Sequence, residues 1–544
     1  MKSKTFSKVI AFVLTAFLLV GMIPMTVFAS IPNWSENNVA FDGTNFGTNG
    51  YYNVISKKDY TLVPGAATET EMVLNNAAGN RRQVLHIIEV DPSNPDVSIL
   101  PGYYGIDKFA ADPTNMKNQQ AAGVTNVANY YDTTLGYKVV GAMNTALAYD
   151  NNAPYSYLVY NGQVLVDAKG GVNNFHSGAC QTMLCVYKDE VTGECTCELR
   201  THAQGLRGDE WQAIGANFAM VVNNGQLVTK TEERTSDMAA RSLVGVKEDG
   251  TLVLLMNDGR GANNSKGFNN YELGESMLAL GCKWAFNCDG GGSSSFVTRR
   301  AGEDDLVCRC VPCDGAERPT LNSVLVVSNV APTGVLNNVD ITSDYDYFAP
   351  GTTYTFGANA IDTHGYAMDM PNDLSWALSD DTFGTVNNGT FVSNGKTGNV
   401  TVRVISGGNV VGEKAITVAN PETLNFAQAS TVLPYGKSTT FEFVSKIGEF
   451  DVYLDGSSFS FEMSNPNAGT LDGLTFTATQ DETIEGTVVT ATYVPTGDQY
   501  QYTITFGKGS EIIWDFEDGD LHGFLGQQDA YDWQLAHGVE TPFG

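Results

Sequence analysis

The chain has 544 residues, of which 31 are Lys or Arg and 61 are Asp or Glu, giving a formal net charge of -30. With 42% hydrophobic and only 17% charged residues, the composition excludes disorder along the whole chain and predicts more than one folded domain. The acidity excludes general binding of nucleic acids, because a negative surface repels phosphate polymers unless cations are concentrated locally.

Residues 1–29 have the pattern of a secretory signal peptide. Three lysines precede an apolar run over residues 9–20, and residues 27–29 form the Val-x-Ala pattern that signal peptidase reads. The alternative is an uncleaved membrane anchor, since the apolar run could nearly span a bilayer. Cleavage predicts a secreted, extracellular protein, with the cell wall as one destination. No later apolar stretch is long enough to cross a membrane.

All nine cysteines lie in the middle of the chain, from Cys180 to Cys313. In an exported protein they are expected to form disulfides, but the odd number leaves at least one thiol free or paired between chains. The alternative is a thiolate zinc site formed by two clusters, Cys195-x-Cys197 and Cys308-x-Cys310-x2-Cys313. The sequence does not determine the pairing.

The composition changes near residue 332. Residues 31–332 are predicted to form the first domain, with its core at about 80–328. Beyond it the chain has only six cations, no cysteine, and short Val/Thr/Phe-rich runs separated by Gly, Asn and Asp. This pattern predicts all-β sandwich modules at 333–420 and 421–509.

An internal repeat relates the two modules. The segments that begin at Trp376, Gly384 and Ala415 recur 85 to 87 residues later, at Phe461, Gly469 and Tyr502. This offset is the size of one sandwich. Residues 384–391 and 469–476 resemble bacterial Ig-like domains. Residues 510–544 look like the start of a carbohydrate-binding β-sandwich, and the alternative is an acidic tail.

A strand, crossover helix and strand are predicted within residues 252–286 of the first domain. An apolar run over 252–256 ends in a turn, Asn269 begins a capping box before an amphipathic helix, and a second apolar run follows at 282–286. Such a unit places its strands parallel in one sheet, so Asp258 and Asp289 are expected at the same edge. The first domain is therefore predicted to be α+β, a mixed sheet with flanking helices.

Three glycines follow Asp289, at residues 290–292, and Ser293 and Ser294 come next. Consecutive glycines let the backbone approach a ligand closely and present N–H groups to an anion, and the serines add hydroxyl donors. An acidic residue beside such a loop suits a sugar phosphate. The alternative is a merely flexible turn. The run lacks the Lys-Ser/Thr of a phosphate-binding P-loop and the Gly-x-Ser-x-Gly of a serine hydrolase.

Five motifs in chain order resemble those of the phosphodiester glycosidase family. They are Val139-Val-Gly-Ala-Met-Asn144, Ala240-Arg241-Ser-Leu-Val-Gly245, Asp258-Gly-Arg260, Asn287-x-Asp289-Gly-Gly-Gly-Ser293-Ser294 and Pro312-x-Asp314-Gly-x-Glu317-Arg318-Pro319. The resemblance covers about residues 80–328 and implies hydrolysis of the bond between a sugar and a phosphate. The chain departs from the family pattern at residues 145–148, where Thr-Ala-Leu-Ala replaces Gly-Gly-Phe-Phe, and at Cys288, where the family has an aliphatic residue.

Of the two carboxylates, Asp289 is expected to be the nucleophile or base and Asp258 its partner, with the assignment of the two roles left open. Because guanidinium groups bind phosphate oxygens in a bidentate manner, arginines are the candidates for the phosphate. The predicted substrate-binding residues are Asn144, Arg241, Arg260, Asn287, Gly290, Gly291, Gly292, Ser293, Ser294, Glu317 and Arg318. The alternative for Arg318 is a structural ion pair, and for Asn144 and Asn287 it is a bridge across a turn.

The histidines of the first domain are not expected to bind a metal. His86, His176 and His202 are predicted to be structural, because none forms a metal-binding pair at helical spacing. No cofactor is expected. A carboxylate-rich edge could hold Ca²⁺, which favours oxygen ligands, but no EF-hand loop is present.

Together these features predict a secreted, bacterial-type glycosidase that hydrolyses sugar-1-phosphodiester linkages in surface or extracellular glycans. Its substrate is expected to be a glycan or sugar phosphate, with cell-wall polysaccharide as one source. Two alternatives stay open, a non-catalytic glycan-binding surface adhesin whose later modules form a stalk, and an ordinary O-glycoside hydrolase that uses the same cleft. The sequence does not determine the sugar, the aglycone or the stereochemical outcome.

Overall fold

The computed structural model describes residues 45–46, 51–114, 120–146, 157–167, 181–216, 218–228 and 237–507. These residues form two compact units that divide after Asn337, with Ala360–Asp369 belonging to the first. The predicted signal peptide at 1–29 and the predicted module start at 510–544 lie outside the described residues. Within the described ranges, no helix has both the length and the apolar character needed to cross a membrane.

The first unit consists mostly of β-strands. Its described strands are β1 (Asn45–Phe46), β2 (Tyr52–Val63), β3 (Ala67–Asn76), β4 (Gln83–Val90), β5 (Val97–Gly102), β6 (Lys138–Asn144), β7 (Leu158–Tyr160), β8 (Gln163–Val166), β9 (Thr182–Lys188), β10 (Cys195–Thr201), β11 (Gln212–Ala216), β12 (Met220–Asn223), β13 (Gln226–Leu227), β14 (Arg241–Lys247), β15 (Leu252–Asn257), β16 (Cys282–Asn287), β17 (Phe296–Thr298), β18 (Val307–Cys308) and β19 (Ser323–Ser328). Its described α-helices are α1 (Ile106–Ala111), α2 (Val124–Thr133) and α3 (Asn270–Ala279).

These strands form three sheets. The strand orders are β1-β2-β3-β4-β15-β14-β16-β12-β13, β18-β17-β6-β19-β5 and β10-β9-β11-β7-β8. Each described pair of neighbours is antiparallel. The prediction of a mixed sheet is therefore wrong, because no two neighbouring strands among these described pairs are parallel. Strands β15 and β16 do run parallel, as predicted, but β14 lies between them and is antiparallel to both.

Both faces of β15 are buried, which explains its unbroken apolar sequence. Leu252, Leu254 and Met256 belong to the core between the nine-stranded sheet and the β18-β17-β6-β19-β5 sheet. Val253 and Leu255 belong to a second core beneath α3. Because successive side chains of a strand point to opposite faces, such a run needs cover on both sides. A third core lies between the β18-β17-β6-β19-β5 sheet and helices α1 and α2. Helices therefore cover the outer face of this sheet and, through α3, the outer face of the nine-stranded sheet.

Helix α3 begins with the predicted capping box. The Asn269 side chain accepts hydrogen bonds from the backbone N–H groups of Tyr271 at 3.1 Å and Glu272 at 3.0 Å. In return, the Glu272 carboxylate accepts from the backbone N–H of Asn269 at 2.9 Å. These bonds satisfy amide groups that have no partner within the helix. The Tyr52 hydroxyl also donates to Glu272, at 2.7 Å, and so ties the start of α3 to β2.

The strands after residue 335 mostly repeat one pairing pattern, and the strand Ala367–Met368 among them belongs to the first unit. They are β20 (Leu336–Thr342), β21 (Tyr347–Phe348), β22 (Thr353–Thr355), β23 (Gly357–Asp362), β24 (Ala367–Met368), β25 (Ser375–Leu378), β26 (Gly384–Asn387), β27 (Thr390–Ser393), β28 (Gly398–Ser406), β29 (Asn409–Val418), β30 (Thr423–Phe426), β31 (Ser430–Pro434), β32 (Ser438–Thr440), β33 (Phe443–Ile447), β34 (Phe450–Tyr453), β35 (Phe459–Met463), β36 (Gly469–Asp472), β37 (Thr475–Ala478), β38 (Gly486–Tyr493) and β39 (Gln499–Gly507). The order β22-β27-β26 recurs as β32-β37-β36, and β25-β28-β29 recurs as β35-β38-β39. The order of strand pairing therefore confirms the predicted internal repeat.

The boundary predicted at residue 420 does not separate two sheets. One seven-stranded sheet, with the order β25-β28-β29-β21-β34-β33-β30, contains strands from both sides of that boundary. Strand β21 joins the two halves by pairing in parallel with β29 and with β34. The second unit has no α-helix among its described residues. The resemblance to Ig-like domains stays a prediction.

Candidate active site

Strands β14, β15 and β16 bring the predicted residues to one edge of the nine-stranded sheet. Strand β15 ends at Asn257 and β16 ends at Asn287, and both are antiparallel to β14, which begins at Arg241. The register pairs Arg241 directly with Asn257. Asp258 and Asp289 therefore leave the sheet beside the start of β14. Their placement at a common edge is confirmed.

Asn144 holds the two packed sheets together at this edge. It is the last residue of β6, and the segment that follows Asp289 passes from the nine-stranded sheet to the sheet that contains β6. Its amide donates to the backbone oxygen of Asp289 at 2.8 Å, and accepts from the Ser242 hydroxyl at 2.8 Å and from the Ser295 N–H at 3.0 Å. Asn144 is fully buried. These contacts favour a bridging role between the two sheets, and the predicted contact of Asn144 with substrate stays a prediction.

The Asp289 carboxyl is buried, with only 6% of the residue exposed. Burial raises its pKa above the ordinary value of 3.8, whereas the hydrogen bond from Ser293, the charge of Arg318 and a backbone N–H at Gly290 act in the opposite direction. The side chain therefore keeps its proton to a higher pH than a free aspartate does. A carboxyl with a raised pKa beside a hydroxyl and a cation is suited to a catalytic role.

The raised pKa of Asp289 predicts a pH dependence of stability. Because the folded-state pKa lies above the unfolded value, the folded chain holds the proton more tightly. The resulting stability is complete below the unfolded pKa and is lost as pH rises through the folded pKa. We expect Asp289→Asn to gain stability relative to the wild type across this window, by about 1.4 kcal/mol for each unit of the pKa rise. Urea unfolding of both proteins at several pH values measures this difference, and a difference independent of pH would contradict the prediction.

Asp258 lies in a different environment from Asp289. It is fully buried, and its Oδ1 accepts from the backbone N–H of Val311 at 3.1 Å. Its Oδ2 accepts from the Asn263 amide at 3.0 Å and lies 3.3 Å from Nε2 of His86. Protein groups from β4, the turn after β15 and the segment after β18 thus surround the carboxylate. These contacts favour a positioning role for Asp258, and its predicted catalytic partnership with Asp289 stays a prediction.

Two arginines lie against the first two glycines of the loop. A β-carbon added at Gly290 would lie 3.4 Å from the Arg241 side chain. A β-carbon added at Gly291 would lie 2.9 Å from the Arg260 guanidinium. Gly291 also has a φ of +62°, a conformation that strains residues with a side chain. The glycines therefore allow both guanidinium groups to approach the loop backbone.

Gly291→Ala is expected to lower both stability and the affinity for an anionic ligand. The positive φ should cost about 1–2 kcal/mol, and the added methyl group should displace Arg260. Gly250→Ala is the matched control, because Gly250 has a φ of +93° and no atom within 4 Å of the added carbon. Urea unfolding should show a similar loss for both variants. Titration with a sugar phosphate should show weaker binding for Gly291→Ala, and equal binding by the two variants would contradict the role given to the loop.

The third glycine lies against an ion pair. A β-carbon at Gly292 would overlap the Asp314 carboxylate and the Arg318 guanidinium, which form a salt bridge. Nη1 of Arg318 donates to the Ser293 hydroxyl at 3.4 Å, and Ser293 in turn hydrogen-bonds to Asp289. Arg318 therefore forms the structural ion pair that was the alternative to phosphate binding. Its charge also lowers the pKa of Asp289, the predicted catalytic carboxyl.

Arg241 and Arg260 form a pair of neighbouring cations. Burial, and after it the charge of Arg260, lower the pKa of Arg241, while the Asp237 carboxylate acts on Arg241 in the opposite direction. The Arg241 guanidinium donates to the backbone oxygens of Phe268 and Asp237, both at 3.2 Å. In the part of the chain that the structure describes, neither arginine forms a salt bridge with a carboxylate. Two adjacent guanidinium groups without such a partner favour the binding of an anion.

A cleft of about 640 Å³ opens beside Arg241, within the range of about 300–1,000 Å³ that is usual for small-molecule sites. Arg241 and Asn287 line it together with the apolar residues Phe218, Met220, Val221 and Leu273. Asn287 is 8% exposed, and its Oδ1 has no hydrogen-bond partner among the described residues. The buried Ser294 hydroxyl likewise has none there. Because unpaired buried polar atoms are costly, both are candidates for hydrogen bonds to a ligand.

All the predicted site residues, from Asn144 to Arg318, lie within one stretch of the chain. Residues 137–327 match the family model of the phosphodiester glycosidases. This match contains every predicted site residue, and the family is one of hydrolases. No curated protein matches the chain.

Two of the solved structures that match the chain do so at low identity. The catalytic domain of zebrafish N-acetylglucosamine-1-phosphodiester alpha-N-acetylglucosaminidase, auto-inhibited by its pro-peptide, is 16% identical and has a TM-score of 0.35, with 52% of this chain and 90% of that chain covered. A hypothetical protein from Synechocystis is 14% identical and has a TM-score of 0.31, with 48% of this chain and 62% of that chain covered.

Glu317, in the last of the family-like motifs, has protein partners. Its Oε1 accepts from the backbone N–H of Thr125 at 3.2 Å and from the Ser295 hydroxyl. Thr125 is the second residue of α2, where the helix dipole favours a carboxylate. The carboxylate thus fixes the start of α2 to the loop that carries Ser295, and the predicted contact of Glu317 with substrate stays a prediction.

Four residues that hold this edge together are not among the predicted site residues. They are His86, Ser242, Asn263 and Asp314. Asp314 lies inside the last motif, so the motif could have pointed to it. Ser242 is a polar residue within an apolar strand, which is a usable signal for a buried hydrogen bond. His86 was expected to be structural, and nothing in the sequence indicated its contact with Asp258.

The described cysteines are all free thiols. Neither the predicted disulfides nor a zinc site is present among the described residues, in which no group of three or more His, Cys, Asp or Glu could hold a metal ion. The Ca²⁺ alternative finds no such group there either. Cys180 and His176 lie outside the described residues. Cys288, which departs from the family pattern, is fully buried in the core between the two packed sheets.

Proposed function

We propose that the chain is a secreted phosphodiester glycosidase that hydrolyses sugar-1-phosphodiester linkages in surface or extracellular glycans. The observation that carries this proposal is the pair Arg241 and Arg260 at the glycine loop beside Asp289. The match of residues 137–327 to a hydrolase family supports the class of reaction. Secretion rests on the signal-peptide pattern of residues 1–29.

In this proposal the two arginines bind the phosphate of the diester. Guanidinium groups bind phosphate oxygens in a bidentate manner and remain charged at any physiological pH. The position of Arg241 is set before substrate arrives, since its guanidinium donates to two backbone oxygens, and Arg260 lies against Gly291. Such preorganised cations stabilise the charge that develops on the phosphate as the bond to the sugar breaks.

Asp289 is the proposed catalytic carboxyl. Water replaces the phosphate at the anomeric carbon, so the products are a free sugar and a phosphate monoester. Phosphate leaves more readily than an alcohol, so a strong general acid is needed less than in ordinary glycosidases. Whether Asp289 attacks the anomeric carbon or takes a proton from water, it must be ionised. Its raised pKa therefore predicts that activity falls as pH drops through that pKa.

The cleft beside Arg241 is the proposed sugar site. The unpartnered Oδ1 of Asn287 accepts a hydrogen bond, which a sugar hydroxyl or amide N–H donates. Asn287 lies two residues before Asp289 at the end of β16, so a sugar that contacts both would have its anomeric carbon near the carboxyl. The apolar residues of the cleft suit the less polar face of a sugar ring.

The full chain should be tested on a set of methyl sugar-1-phosphodiesters, with the matching methyl glycosides as phosphate-free controls. We expect release of free sugar and methyl phosphate from at least one phosphodiester, and no turnover of the methyl glycosides. Binding of phosphodiesters without turnover would favour the adhesin alternative. Equal turnover of methyl glycosides would favour an ordinary O-glycoside hydrolase.

A further inference from the structure

Two cysteines at the end of the first unit bring their sulfurs together. Sγ of Cys308, the last residue of β18, lies 3.6 Å from Sγ of Cys310, and both are free thiols. Cys310 is buried, with 4% exposed, whereas Cys308 is partly exposed. Among the described cysteines, no other pair of sulfurs is found in hydrogen-bonding contact.

The two thiols differ in acidity as well as in exposure. The hydrogen bond between the two sulfurs lowers the pKa of Cys308, although burial acts in the opposite direction. The same hydrogen bond, followed by burial, raises the pKa of Cys310 well above its ordinary value. An accessible thiol with the lower pKa beside a buried thiol is the arrangement of an attacking and a resolving cysteine.

We propose that Cys308 and Cys310 form a thiol–disulfide exchange site that reacts with small disulfides such as oxidised glutathione. The Cys308 thiolate attacks one sulfur of the small disulfide, the bond between its two sulfurs breaks, and one small thiol leaves with a proton from solvent. Cys310 then loses its proton and attacks Sγ of Cys308, which forms the internal disulfide and releases the second small thiol. The two cysteines are oxidised and one small disulfide is reduced to two thiols. The inference is independent of the proposed glycosidase activity.

Oxidation of this pair reaches the candidate active site through the backbone. The two sulfurs must approach from 3.6 Å to about 2.05 Å, so the segment that carries them has to move. Sγ of Cys310 accepts from the backbone N–H of Phe296 at 3.3 Å, and the next residue, Val311, donates its N–H to Asp258. We therefore expect faster hydrogen exchange at the Phe296 and Val311 amides after oxidation.

The test is mass spectrometry of the full chain after incubation with oxidised glutathione. Trypsin cleaves after Arg309, so an internal disulfide joins two peptides, and fragmentation distinguishes Cys310 from Cys313. The wild type should form the Cys308–Cys310 cross-link, reversibly with dithiothreitol, without a lasting glutathione adduct on either cysteine. Cys310→Ala should retain a glutathione adduct on Cys308, and Cys308→Ala should form an adduct on Cys310 at least tenfold more slowly. Cys282→Ala, at a buried thiol of β16, is the control and should cross-link as the wild type does.

Three results would overturn the proposal. The first is a wild-type chain in which both thiols stay reduced while the glutathione pool is oxidised. The second is a cross-link from Cys308 to Cys313 in place of Cys310. The third is equal adduct formation by Cys308→Ala and Cys310→Ala, which would remove the distinction between attacking and resolving thiols. None of these results depends on turnover of a sugar phosphodiester, so failure of the proposed function would leave the test unaffected.

Discussion

Asp289→Asn is expected to lower kcat for hydrolysis of a sugar-1-phosphodiester by about 10²–10⁴-fold, the usual range for loss of a proton-transferring side chain. The amide has nearly the same shape as the carboxyl, so it preserves the packing at the end of β16. It can neither ionise nor attack the anomeric carbon. Steady-state kinetics would measure the loss, and titration with intact substrate should show that binding is retained.

The stability of Asp289→Asn shows whether a loss of activity comes from unfolding. Because burial raises the pKa of Asp289, the variant should be at least as stable as the wild type at neutral pH, so lost activity cannot be attributed to unfolding. Asp189→Asn is a matched control in the same unit, at an exposed turn where the carboxylate accepts from Val191 and Thr192. It should keep the wild-type kcat. A value for Asp289→Asn above a tenth of the wild-type kcat would rule out Asp289 as the catalytic carboxyl.

Arg260→Met is expected to lower kcat/KM for the phosphodiester by about 10²–10³-fold, the range for removal of one group that stabilises transition-state charge. Methionine keeps much of the length of the side chain but provides neither charge nor donors. Arg260→Lys should recover part of the loss, because an ammonium restores the charge without the bidentate geometry. Arg241→Met should act in the same direction with an added loss of stability, since Arg241 also donates to two backbone oxygens.

The control for the arginine series is Arg207→Met. Arg207 is half exposed and pairs with Asp209 on the surface of the same unit, so its replacement should leave kcat/KM unchanged. A second comparison uses ligands. Free sugar lacks the phosphate, so its affinity should be the same for Arg260→Met and the wild type. If the variant bound free sugar and phosphodiester with equally reduced affinity, Arg260 would support the shape of the cleft and not the phosphate.

Local patterns were sufficient for a large part of the site. The apolar run that ends before Asp258, the capping box at Asn269 and the apolar run before Asp289 predicted a helix between two parallel strands. A helix cap and a strand with both faces buried depend on neighbours in sequence and on simple periodicity, so such features can be read without the fold. The repeat after residue 335 was detectable for the same reason, because similar segments form similar strand pairs.

Other contacts could not be read locally because they join segments far apart in the chain. Asn144 and Ser242 are 98 residues apart and lie on different sheets, yet their side chains share a hydrogen bond. Asp258 is 172 residues from His86, and the packing of β4 against β15 brings them together. A motif shows that such residues belong to one region, but it does not show which polar groups satisfy each other and which stay open to a ligand.

The sequence by itself determined the composition of this edge: two carboxylates, three arginines and a glycine loop, with strand directions that place both carboxylates on one side. Only the tertiary structure decided their surroundings. It inserted β14 between the two parallel strands and so brought Arg241 to the same edge. It surrounded Asp258 with protein donors and left Arg241 and Arg260 without carboxylate partners among the described residues. The physical reason is that burial and hydrogen-bond pairing, which decide whether a polar group serves the fold or a ligand, arise only when distant segments pack.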